Sequence, residues 1–152
     1  MKKTKTLLTM VFSLILMLTA TIFAACNNES NAVGVNLLES TDKLVAIEAT
    51  KTGGSLEDAL KKLKETGELD YDGDTSEFGF YLTSVNGYTP DASKNKYWAI
   101  YSTLGEYEGV LYSNADYGTY EYKDTVCASA SYGVSGMPLV EGELYILTVA
   151  TY

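Results

Sequence analysis

All 13 tyrosines of this 152-residue chain fall between Tyr71 and Tyr152. Across that stretch short β-type segments alternate with Gly, Asn and Asp, so the chain is expected to reverse direction every few residues. Strands are expected near 77–85, 97–103, 108–113, 118–123, 125–131 and 143–151. Residues 106–123 read as a two-stranded hairpin turning at Asn114–Gly118. Most of the tyrosines serve as strand formers on this reading, since aromatic side chains favour a pleated, half-buried surface.

Upstream the pattern differs. A short strand is expected at Val33–Leu38, and residues 43–50 alternate with Val45, Ile47 and Ala49 on one face. Gly53-Gly54 closes that strand. Ser55 with Asp58 three residues on forms a capping-box arrangement, and Leu56, Ala59, Leu60 and Leu63 make one apolar stripe at helical spacing. Glu57 with Lys61 and Asp58 with Lys62 are i,i+4 pairs in the favourable order, and Gly67 stops the helix. Strand, helix, then many strands implies an α+β class, one helix packed on a mixed sheet with additional hairpins.

The amino terminus reads as an export signal. Lys2, Lys3 and Lys5 precede an uncharged run from Leu7 to Ala25, and Cys26 follows. Phe23 fits an ordinary signal-peptidase site badly, whereas Phe23-Ala24-Ala25-Cys26 resembles a lipobox with Phe where Leu is usual. The expected organisation is therefore a signal peptide at 1–25, a lipidated Cys26 with a tether to residue 42, and a single domain at 43–152. That places the chain on the extracellular face of a bacterial membrane, held by lipid on Cys26. An uncleaved anchor and a free secreted protein are the alternatives.

Composition excludes several functions. Without the signal's three lysines, 8 lysines stand against 20 acidic residues, a formal charge of −12 with no arginine. Nucleic-acid binding rests on cationic side chains neutralising phosphates, so no nucleic-acid partner is expected. The chain has no histidine, which removes Ser-His and Cys-His nucleophiles and imidazole zinc sites. No catalytic spacing stands out and no enzyme is expected. Asp70, Asp72 and Asp74 imitate the start of a calcium loop. Its sixth and twelfth places, however, hold Thr75 and Tyr81 instead of Gly and Glu. A solvated acidic loop, with no metal, is the reading. Cys127 has no partner if Cys26 carries lipid, and reads as a small buried strand residue.

Four segments in order, SLEDALKKL (55–63), FGFYLTSVNGY (78–88), KYWAIYS (96–102) and YGVSGMPLVEGELYIL (132–147), carry a resemblance. They resemble the small carboxy-terminal domain of transcobalamin and intrinsic factor, and the bacterial domain-of-unknown-function family of that type. The resemblance implies a β-grasp-like fold and a cobalamin-type ligand, with no cofactor required for folding. It implies ligand contacts at Asn86, Gly87, Tyr97 and Trp98, to which Tyr88 and Tyr101 are added as neighbours. The chain lacks the large helical domain that covers the other face of the vitamin in those carriers, and its region 104–131 is longer than the family core needs. Within 97–103, Trp98 shares a face with Ile100 and is expected in the core, leaving Tyr97 and Tyr101 outward. The function expected is a small-ligand-binding module serving an amphipathic molecule such as a corrinoid, or a membrane transporter or surface protein as partner. The rival is a cell-surface protein–protein interaction or adhesion module with no small ligand.

Overall fold

The computed structural model describes residues 33–151. The export signal at 1–25, Cys26 and the polar stretch up to Ala32 lie outside the described residues. A compact unit begins at Val33.

Six strands form the main sheet: β1 (Val35–Ser40), β2 (Leu44–Ala49), β5 (Lys96–Ser102), β8 (Ser113–Tyr122), β9 (Thr125–Ala130) and β10 (Leu144–Thr151). Their spatial order is β1-β2-β10-β5-β9-β8, and every pairing is antiparallel. β3 (Tyr71–Ser76) and β4 (Gly79–Val85) make a separate hairpin, and β6 (Glu106–Tyr107) and β7 (Val110–Leu111) a smaller one. A single ten-residue helix, α1 (Leu56–Glu65), completes the regular structure among the described residues.

The α+β, β-grasp-like expectation is thereby corrected. The described chain is nearly all-β, and the main sheet is antiparallel throughout. The physical reason lies in the connections. From residue 67 onward most strands are joined by connections too short for a helical crossover, and a short turn returns the chain antiparallel. A mixed sheet would need a longer connection than most of these segments leave. The reading of element order, strand, helix, then many strands, had given the single helix too much weight.

The central strands β2 and β10 are apolar on both faces, and two clusters form across them. Val45, Ile47, Tyr145 and Leu147 lie on one side with the α1 stripe of Leu56, Ala59, Leu60 and Leu63. Ala46, Ile146, Cys127 and Tyr122 lie on the other, under half-buried Tyr101 and Tyr120.

α1 begins as expected. Asp58 N–H donates to Ser55 Oγ at 3.2 Å, and Ser55 N–H donates back to Asp58 Oδ2 at 2.9 Å. Glu57 and Lys61 pair at 2.7 Å. Lys62 instead donates to the Val33 carbonyl at 2.8 Å, because Asp58 is occupied by the cap.

Two local readings are overturned. The acidic stretch 70–74 is mostly strand, with Lys64 Nζ 3.3 Å from Asp70 and 3.7 Å from Asp72. The Asn114–Gly118 segment is a bulge inside the ten-residue β8, where the register with β9 jumps from Asn114 to Thr119. The hairpin turns later, between Tyr122 and Thr125, where Lys123 takes φ 50°. Two residues with one in the left-handed region suffice for a tight turn. The Gly in the bulge, at φ 120°, supplies backbone freedom within a strand, not at its end.

Candidate functional site

The six ligand-side residues expected from sequence do not form one surface. Asn86 and Gly87 are a two-residue turn with φ of 47° and 80°, closed by Tyr88 N–H donating to the Val85 carbonyl at 2.9 Å. The Asn86 side chain is committed to the fold. Its amide donates to Ser40 Oγ and to the Thr41 carbonyl, both at 2.9 Å, and its oxygen accepts from Asp70 N–H at 3.1 Å. This residue ties the β1–β2 turn to the β3–β4 hairpin. Tyr88 meets Trp98 edge-on at 6.4 Å between centroids, with Lys43 Nζ 5.1 Å above its own ring.

Trp98 is 8% exposed and belongs to the larger core cluster. Strand alternation then sends Tyr101 to the opposite face, where it packs on Tyr120 at 5.6 Å. Tyr97 is half-buried and lies beside Trp98 along β5. The structure therefore pairs Tyr88 with Trp98, uses Asn86 and Gly87 to build the turn, leaves Tyr97 bordering the cleft from the other face of β5, and removes Tyr101 to the far side of the sheet.

A cleft of about 310 Å³ opens on the Trp98 side. One wall is β4 at Phe80, Tyr81 and Leu82; the floor is β5 from Tyr97 to Ile100; the far wall runs from Ser129 to Val134 and includes Tyr132. A smaller cavity of about 150 Å³ shares Tyr81, Leu82, Tyr97 and Trp98 with it and reaches Thr89 and Pro90. Tyr81 is 59% exposed and Tyr132 45%, so aromatic residues line the rim, while the floor is buried at Trp98 and Ala99 and half-buried at Tyr97 and Ile100.

The walls are held by specific contacts. Phe80 N–H donates to Ser135 Oγ at 2.8 Å, and Ser135 Oγ donates to Glu57 Oε2. β4, the 131–136 loop and α1 are thus pinned to one another. The hydrogen bond from Lys61, and then the one from Ser135, hold the Glu57 carboxyl below its usual range. Gly73 is needed opposite: a Cβ there would stand 2.3 Å from the Phe80 ring and from the Tyr81 carbonyl oxygen. The Phe80 ring instead packs edge-on to Tyr71 at 5.7 Å. Two buried polar atoms lack a partner among the described residues, the Trp98 indole nitrogen and the Tyr122 hydroxyl.

Sequence reasoning missed Phe80, Tyr81 and Tyr132. Two of the matching segments contain them, and Tyr81 and Tyr132 are large aromatics left outward by alternation or by a glycine-rich loop. Among the described residues no cluster of three potential metal ligands exists, and no helix is long and apolar enough to cross a membrane.

Residues 53–102 match a family model described as Domain of unknown function (DUF4430). That stretch runs from the turn before α1 to the end of β5, and so contains two sides of the cleft. A search of curated proteins finds no match.

Proposed function

We propose that this chain is a lipid-anchored extracellular binding module, without catalytic activity, whose ligand lies in the cleft between β4 and β5. The carrying observation is the cleft itself: aromatic walls at Tyr81 and Tyr132 above a floor of Trp98 and Ile100. Aromatic bodies with polar tips suit a broad amphipathic ring that carries amides at its edge. The resemblance to the transcobalamin carboxy-terminal domain makes a corrinoid the leading ligand class. With no histidine, the chain offers cobalt no imidazole, so recognition would fall to packing and hydrogen bonds. One small domain covers one face of such a ligand, which fits modest affinity or a partner completing the site.

Equilibrium dialysis against cobalamin and a base-free corrinoid tests this reading. Saturable binding is expected, weakened about tenfold by Tyr81→Ala or Tyr132→Ala and unaffected by Tyr117→Ala on β8. Absence of corrinoid binding would remove the ligand class. The anchor is tested separately: the mature chain should partition into detergent, and Cys26→Ala should leave an unprocessed precursor.

A protein-interaction or adhesion role is the second reading. Phe78 at the β3–β4 tip is 90% exposed, and with Tyr81 and Tyr132 it presents large apolar surface to solvent.

A further inference from the structure

We infer that the ligand of this cleft is an amphipathic carboxylic acid. Its flat apolar body lies between Tyr81 and Tyr132, and its carboxylate enters the smaller adjoining cavity beside Lys96 and the Trp98 indole N–H. The inference rests on the small-ligand reading of the cleft and narrows its ligand class, without requiring a corrinoid.

Charge is the first observation. The two cavities share Tyr81, Leu82, Tyr97 and Trp98 as walls, so a single molecule can reach from one into the other. Among the described residues that line them, Lys96 is the one charged side chain. That choice is selective in a chain with 20 acidic residues against 11 basic ones. Lys96 is half-buried at the start of β5, and its ammonium makes no ion pair among the described residues. Asp91, the acid nearest to it along the chain, is taken by Lys94 at 3.1 Å and by the Ser93 hydroxyl at 2.6 Å.

The neutral polar groups call for the same chemistry. Trp98 is 8% exposed and borders both cavities, and its indole N–H is buried with no acceptor among the described residues. Buried polar groups are hydrogen-bonded in roughly nine cases in ten, so an acceptor is expected from the occupant. Thr83 and Thr89 add hydroxyls to the lining of the smaller cavity. An ammonium and an indole only donate, and a carboxylate only accepts. One ammonium balances one carboxylate. A phosphate monoester would bring about two negative charges and leave the second uncompensated. The remaining walls are largely aromatic and aliphatic, which suits a flat apolar body.

Naphthylacetate, naphthylacetamide and naphthyl phosphate set one ring system on three head groups. Each is titrated into the full chain and followed by amide spectra. Trp98 is the only tryptophan, so its indole N–H gives a single resonance. Naphthylacetate should saturate, bind about tenfold tighter than the amide and shift that resonance. The preference should shrink as salt is raised. Lys96→Met keeps the apolar stem and should bring the acid and amide affinities together. The wild-type indole shift keeps the assignment testable should that variant fold poorly. Equal affinity for acid and amide, or tighter binding of the phosphate, would overturn the inference and leave the cleft a ligand site. Saturation without movement of the indole resonance would overturn it too, as would no saturation by about 1 mM; corrinoid dialysis then decides the cleft reading on its own. A preference for the acid with no corrinoid binding supports the inference and removes the corrinoid.

Discussion

At the scale of the residue, one strand separates two roles that a linear reading places side by side. Trp98 is floor and core at once, so Trp98→Ala should cost about 3–5 kcal/mol in urea denaturation, as large aromatic truncations do. Tyr101 faces the other cluster against Tyr120. Tyr101→Ala should lose about 1 kcal/mol, the worth of an aromatic pair, and leave any ligand of the cleft bound as before. Loss of cleft binding in a folded Tyr101→Ala protein would show that the site lies on the opposite face. Tyr145 makes a different prediction. It is fully buried, donates to the Pro138 carbonyl at 2.7 Å and accepts from Val140 N–H at 3.0 Å. Burial is the main reason its hydroxyl is pushed up from 10.0 to about 12. A folded-state value above the unfolded one means the contribution is whole below pH 10 and disappears as pH rises towards 12. Stability should therefore fall across that window, and Tyr145→Phe should flatten the fall in a pH series of melting temperatures.

At the scale of the element, α1 was legible because its signals are local. Cap, stripe and glycine stop lie within thirteen residues, and the structure reproduces each. Ser55→Ala should cost about 1 kcal/mol, the usual worth of an N-cap side chain. The Asp58 carboxyl is held below its ordinary 3.8 by the Ser55 main-chain and then side-chain hydrogen bonds. A depressed value contributes stability that is whole above pH 3.8 and is lost as pH falls through the folded-state value. Wild type should therefore lose stability as pH drops below 3.8, and Asp58→Asn should reduce that dependence. An unchanged acid limb in that variant would mean another carboxylate carries it. The β8–β9 hairpin was misplaced for an equally physical reason. Asn114–Gly118 has turn chemistry, but a bulge uses the same residue types, and only pairing with β9 distinguishes the two.

At the scale of the whole molecule, the sheet has two cores, and the smaller one contains Cys127 at 0% exposure. Burial pushes its thiol up, with Glu143 adding to the effect. A thiol reagent at neutral pH should therefore label Cys127 only as fast as the protein opens, and labelling in denaturant should track the global unfolding curve. Rapid stoichiometric labelling of the native chain would contradict the packing of Cys127 between β9 and its neighbours. Sequence by itself determined the helix and its cap, the β-rich stretch after residue 67, the inward side of Trp98 and the burial of Cys127. Each comes from periodicity or from side-chain chemistry within one segment. Only the tertiary structure decided that the class is nearly all-β, that Asn86 is spent on the β1–β2 turn, and that Tyr101 leaves the cleft. It also decided that Tyr81 and Tyr132, 51 positions apart in the chain, line one cavity. These depend on which strands lie side by side and where β9 parts from β5. Strand order is set by long-range burial, which no window of a few residues contains.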